Sequence, residues 1–219
     1  MRYVKTKDVF TLLNGYFAVF AVLFLFNGYF VLTALLISLC AVMDLLDGWI
    51  ARLTKTASDF GGQLDAFADI LSFGVVPALF ISHVYLGFNL LSMIFVATYV
   101  GANFLRQARY MTVPSKKVFG PSNTIIAVFI SVFYLSGILV PEWFWYVFFF
   151  IASISLVSSL EYPSHKVIEE KYMTKKTVLA LCLFLMFLAV LSMKIFILFW
   201  VALFGLVILF GPLLAKVIR

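Results

Sequence analysis

The chain has 219 residues, 64% of them hydrophobic and 12% charged. That excludes an ordinary soluble domain, where about a quarter of residues carry charge. The net charge of +6 does not point to nucleic acid, because Lys and Arg sit only at the ends of long apolar runs.

Those runs predict an all-α polytopic membrane helix bundle of about eight transmembrane helices, since about 20 apolar residues cross a ~30 Å hydrocarbon layer. In chain order they are residues 9–26, 29–43, 61–86, 90–110, 124–140, 143–160, 177–193 and 195–214. Helices rather than barrel strands follow because the runs are continuous and show no period of two. Asp8 is expected to cap the first helix. Only Asn27-Gly28 separates the first helix from the second, so an uncleaved first helix is expected rather than a signal peptide. Cys40 and Cys182 lie inside apolar runs and read as buried and inert. His83 reads as interfacial, and Trp143, Trp145 and Tyr146 as an aromatic belt. Only Lys194 separates the last two runs.

With eight spans, 15 of the 16 Lys and Arg residues fall on one face, leaving Lys194 alone on the other. This positive-inside pattern predicts a multi-pass protein of the cell membrane with both termini in the cytoplasm. The whole chain reads as one transmembrane domain, with no linker long enough to divide it. The longer polar connections, residues 53–60, 111–123 and 161–176, lie on the cytoplasmic face, where chemistry is expected.

Four of the ten acidic residues stand inside or at the edge of apolar helices: Asp44, Asp47, Asp65 and Asp69. An ionised carboxylate at a helix centre in the bilayer costs ~2.5 kcal/mol or more. Asp44 and Asp47 are three residues apart and Asp65 and Asp69 four, so each pair projects from one helix face. A short connection makes the two helices antiparallel neighbours, and the pairs can then share one pocket. Close like charges would force protonation unless cations were bound. Hard divalent cations with oxygen ligands meet that need, and two could sit about 3.5–4 Å apart as in two-metal phosphoryl transfer. Gly48, Ala51, Gly61 and Gly62 suggest close approach of another group, and Arg52 suits a phosphate. Spacing alone divides evenly between a metal-dependent phosphoryl site and an ion path.

Residues 44–69 read DLLDGWIARLTKTASDFGGQLDAFAD. The pattern D-x2-D-G-x2-A-R-x8-G-x3-D-x3-D, carried by Asp44, Asp47, Gly48, Ala51, Arg52, Gly61, Asp65 and Asp69, resembles the signature of the CDP-alcohol phosphatidyltransferase family at all eight positions. A finer resemblance, to membrane-type phosphatidylserine synthases of bacteria and archaea, rests on the run 72–78, on RQARY at 106–110 and on VSSLEYPSHK at 157–166. Two positions depart from that subgroup: the run 119–124 reads FGPSNT, with one Pro, and Glu161 replaces a usual basic residue.

The resemblance implies transfer of a phosphatidyl group from a CDP-linked lipid, CDP-diacylglycerol or CDP-archaeol, to the hydroxyl of L-serine with release of CMP. It implies that Asp44, Asp47 and Asp65 coordinate two divalent cations, Mg2+ or Mn2+, and that Asp69 completes the metal site and serves as general base. Asp44, Gly48, Ala51, Arg52 and Gly61 would contact the CDP-lipid. Arg106 and Arg109 are the first candidates for the acceptor's carboxylate, with Lys116, Lys117 and Lys166 behind them. A homodimer is expected, with catalytic helices in residues 1–165 and two extra helices in 177–214. Glycerol phosphate or inositol phosphate as acceptor, or a cation transporter, are the alternative readings.

Overall fold

The computed structural model describes residues 5, 8–54, 58–112 and 118–162. Within them lie α1 (Asp8–Phe26), α2 (Phe30–Thr54), α3 (Asp59–Leu86), α4 (Leu90–Thr112), α5 (Asn123–Leu135) and α6 (Glu142–Val157). The predicted helices at 177–193 and 195–214 lie outside the described residues. Three helices, Asp8–Phe26, Phe30–Ala51 and Asp59–Leu86, are long and apolar enough to cross a membrane. The apolar α5 and α6 are shorter.

The turns explain the helix ends. After α1, the N–H of Tyr29 bonds the carbonyl of Phe24 at 2.9 Å and that of Gly28 bonds Leu25 at 3.1 Å. With Gly28 at φ 80, this is a Schellman stop, which needs a residue free of Cβ strain. Asn89 starts α4: its Oδ1 accepts from the N–H of Ser92, whose Oγ accepts in turn from the N–H of Asn89. Asp8, expected as a forward cap, is instead the first residue of α1 and accepts the N–H of Lys5 at 2.7 Å.

Several boundaries differ from the sequence reading. The expected second helix ended at residue 43, but α2 continues to Thr54 and carries Asp44 to Arg52 on regular helix. Hydropathy falls there while helical geometry does not. The fifth helix ends at Leu135 rather than 140, because Gly137 at φ 68 turns the chain. An antiparallel ladder pairs β1 (Val118–Phe119) with β2 (Glu161–Tyr162) and joins two segments read as loops. Trp145 is fully buried against Tyr85 and Phe133 rather than interfacial, while Trp143 is exposed.

α1 packs along α2, α2 against α5, and α4 against α6, with α3 enclosed among them. Fully buried Ala18, Ala21 and Ala34 let α1 and α2 approach closely. Outward-facing Tyr16, Val19, Phe20 and Leu23 on α1 suit contact with lipid.

α3 changes pitch after Asp69. Residues Ile70–Val75 and Ser82–Leu86 are π-helical. Pro77, four residues after Phe73, has no N–H to offer an α-helical bond to the Phe73 carbonyl. The Tyr99 hydroxyl of α4 donates to that carbonyl at 3.1 Å.

Gly120 has φ 75, and a Cβ there would lie 2.8 Å from the Ser155 carbonyl oxygen. Gly120→Ala is therefore expected to destabilise the detergent-solubilised protein by about 1–3 kcal/mol. Gly62→Ala, whose Cβ meets nothing within 4 Å, should leave the thermal midpoint unchanged or raise it.

Candidate active site

The last turns of α2 and the first turns of α3 supply the acids. Ser58 opens α3, its Oγ accepting the N–H of Gly61 at 3.1 Å. α1 packs along α2 and against the start of α3, so carboxylates from both helices meet beside it. Ligand oxygens of Asp44, Asp47 and Asp65 all lie within 4.8 Å of one another. Two ionised carboxylates at that distance repel by about 3.5 kcal/mol at an effective dielectric of ~20. An all-oxygen donor set of this kind fits a hard divalent cation, whose charge turns the repulsion into attraction. Asp69, read as both ligand and base, is not within this group of three.

Each of three acids is held by a neutral donor from a different helix. Thr11 of α1 donates to Asp47 Oδ2 at 2.7 Å. Thr124 of α5 donates to Asp44 Oδ2 at 3.2 Å. Gln107 of α4 donates through Nε2 to Asp69 Oδ2 at 2.9 Å. Asp69 Oδ1 is buried and accepts no hydrogen bond among the described residues.

The two arginines of α4 do different work. Arg106 is 8% exposed and close enough to Asp44 and Asp69 for their charges to interact. Its Nε donates to the Pro121 carbonyl at 2.9 Å and its Nη1 to Asn123 Oδ1 at 3.2 Å. Arg109 spends its fork on the end of α6: Nη1 reaches the Ser158 carbonyl and Nη2 that of Val157, both at 2.8 Å.

Gly48, Ala51 and Arg52 lie on α2, in the turns that follow Asp47. Gly61 is buried in the first turn of α3, whereas Gly62 faces open space rather than a close neighbour. Lys116, Lys117 and Lys166 lie outside the described residues. Sequence reasoning missed Thr11, Thr124 and Gln107. The signal it could have used is polar residues recurring every four positions on an otherwise apolar helix, as at Tyr99, Asn103 and Gln107. His83 is packed among Phe26, Phe30 and Phe88.

Helices able to cross a bilayer, with carboxylates gathered where two of them approach, define a membrane-type helical protein built around an acidic site. The profile of CDP-alcohol phosphatidyltransferases matches residues 6–150, and the chain belongs to that family of phosphotransferases. It is 29% identical over 165 residues to the archaetidylserine synthase of Methanothermobacter thermautotrophicus, covering 74% of this chain and 70% of that protein. It is 30% identical over 176 residues to the CDP-diacylglycerol–serine O-phosphatidyltransferase of Methanocaldococcus jannaschii, covering 71% of this chain and 83% of that one. A Helicobacter pylori protein of the same name is 42% identical over 71 residues, 32% of this chain and 30% of that protein.

The Arg109 geometry yields a test. Arg109→Lys keeps the charge but cannot span two carbonyls at once, and should cost about 1–2 kcal/mol of stability, read as a lower thermal unfolding midpoint.

Proposed function

We propose that this protein transfers a phosphatidyl or archaetidyl group from a CDP-linked lipid to the hydroxyl of L-serine, releasing CMP. The observation that carries the reading is the triad of Asp44, Asp47 and Asp65 within 4.8 Å, on the eight-residue motif of the family. The names of the relatives in Methanothermobacter and Methanocaldococcus support serine as acceptor.

In this reading Asp44, Asp47 and Asp65 hold two divalent cations, Mg2+ or Mn2+, with Asp69 at their edge. Bound there, the cations would neutralise charge on the diphosphate and on the departing CMP. Thr11 and Thr124 hold Asp47 and Asp44 in place by hydrogen bonds. Asp44, Gly48, Ala51, Arg52 and Gly61 bind the CDP-lipid, the small residues leaving room for the nucleotide against the backbone. Asp69 removes the proton from the serine hydroxyl as its oxygen bonds to phosphorus and the bond to CMP breaks. Arg106 takes the serine carboxylate, because two of its nitrogens are fixed to the 121–123 segment and Nη2 makes no hydrogen bond among the described residues. Arg109, Lys116, Lys117 and Lys166 are secondary contributors to that pocket.

The wider arrangement proposed with this function is an eight-span homodimer, both termini and the active site cytoplasmic, with residues 177–214 as two helices outside the catalytic set.

Purified protein incubated with CDP-diacylglycerol or CDP-archaeol should release CMP with labelled serine, but not with glycerol phosphate or inositol phosphate. Chelation should abolish turnover and Mg2+ or Mn2+ restore it; serine-independent or chelator-resistant turnover would sink the reading. Asp69→Asn should lower kcat by about 10³-fold or more while CDP-lipid binding persists.

A further inference from the structure

We propose that Gln107 is the positioning residue for Asp69, fixing one carboxylate oxygen so that the other faces the acceptor hydroxyl. The inference rests on the reading of Asp69 as the base.

Gln107 and Asp69 are 3% and 9% exposed and come from different helices, so their bond at 2.9 Å is shielded from water. The bond occupies Oδ2. The other oxygen, Oδ1, is buried without a hydrogen bond among the described residues, and is thereby the proton acceptor. A carboxylate left to rotate would offer either oxygen at poorly defined angles, and an ångström of misplacement can cost about 100-fold in rate.

The donor's neutrality matters. A guanidinium or ammonium in its place would form a charge-assisted pair, roughly twice as strong as a neutral bond, and hold the carboxylate against taking a proton. An amide orients the carboxylate without adding a second cation to Arg106, whose charge already reaches Asp69.

The bond depends on the register of two helices, and α4 sets that register. Tyr99, Asn103 and Gln107 stand four residues apart on one face. The Tyr99 hydroxyl takes the Phe73 carbonyl, and Asn103 packs so closely on Gly74 that a Cβ there would lie 3.2 Å from the Asn103 Cβ. Both contacts fall within the π-helical stretch Ile70–Val75 that begins just after Asp69. They fix its rotation about the α3 axis, and with it the direction in which Asp69 points.

The test uses the full chain in detergent micelles. Gln107→Leu removes the donor at similar volume, and Gln107→Met removes it while keeping an unbranched chain of similar length. Both should lower kcat by about 10- to 100-fold, with KM for CDP-lipid and serine within about threefold of the unsubstituted protein. Mn2+ affinity, read by electron paramagnetic resonance, should also stay within about threefold, since the triad is untouched. Tyr99→Phe, which removes only the hydroxyl, should show a smaller fall with the same split between kcat and KM, and serves if Gln107→Leu does not fold. An unchanged kcat in these variants, with Asp69→Asn inactive, overturns the proposal. So does a rise in KM at constant kcat, or a parallel loss of Mn2+ affinity. Full activity in Asp69→Asn would instead remove the base assignment itself, so the two failures are distinguishable.

Discussion

Negative charge must be gathered at the end of apolar helices, and the rest of the structure answers to that requirement. Three carboxylates with oxygens within 4.8 Å of one another cannot be held by the two helices that carry them. Left alone they would splay or protonate. α1 and α5 each give a hydroxyl to one of them, Asp47 and Asp44, and α4 gives an amide to Asp69 beyond the three. None of these donors is charged, so they locate the acids without neutralising them, and the cation whose charge reaches Asp44 and Asp69 is Arg106. Their unspent charge is what would draw in a divalent cation.

Arg106 connects this acidic cluster to its surroundings. The guanidinium is buried beside Asp44 and Asp69 and is tied to the segment that leads into α5. The next residue, Thr124, reaches back to Asp44. The FGPSNT run therefore forms a wall of the site, held in place by the β1–β2 ladder and by Gly120 packed on the end of α6. This is the stretch where the sequence departs from the subgroup pattern. The departure falls on residues that set the posture of both a cation and a candidate metal ligand, so its effect would reach the proposed acceptor pocket through Arg106.

Hydropathy made the helices legible, because burial in lipid demands apolar length whatever the detail of packing. The acids at 44, 47 and 65 were legible through spacing, because helical periodicity maps sequence separation directly onto direction. What spacing could not give was the partner of each acid. Thr11, Gln107 and Thr124 are separated from their carboxylates by 36, 38 and 80 residues, and nothing local ties them together. For the same reason Arg106 and Arg109, three residues apart on one helix, looked equivalent in sequence. Their difference comes from α6, which presents its terminal carbonyls to one and not to the other. The extension of α2 through its polar last turns was missed because apolar content reports the membrane and not the helix.

The change of pitch in α3 shows how a local break becomes a long-range constraint. In a soluble protein, a carbonyl freed by proline can turn to water. Where lipid surrounds the bundle, an unsatisfied backbone group costs several kcal/mol, so the Phe73 carbonyl must find a donor inside the protein. Tyr99 supplies it, and α4 is committed to one axial and one rotational setting against α3. Gly74 lets that setting be close, because no side chain intervenes between the helices there. Four and eight residues further along α4 stand Asn103 and Gln107, placed by the same commitment. Pro77 lies two turns beyond Asp69, and the helix that answers the carbonyl four residues before it is the one that carries Gln107 to the Asp69 carboxylate.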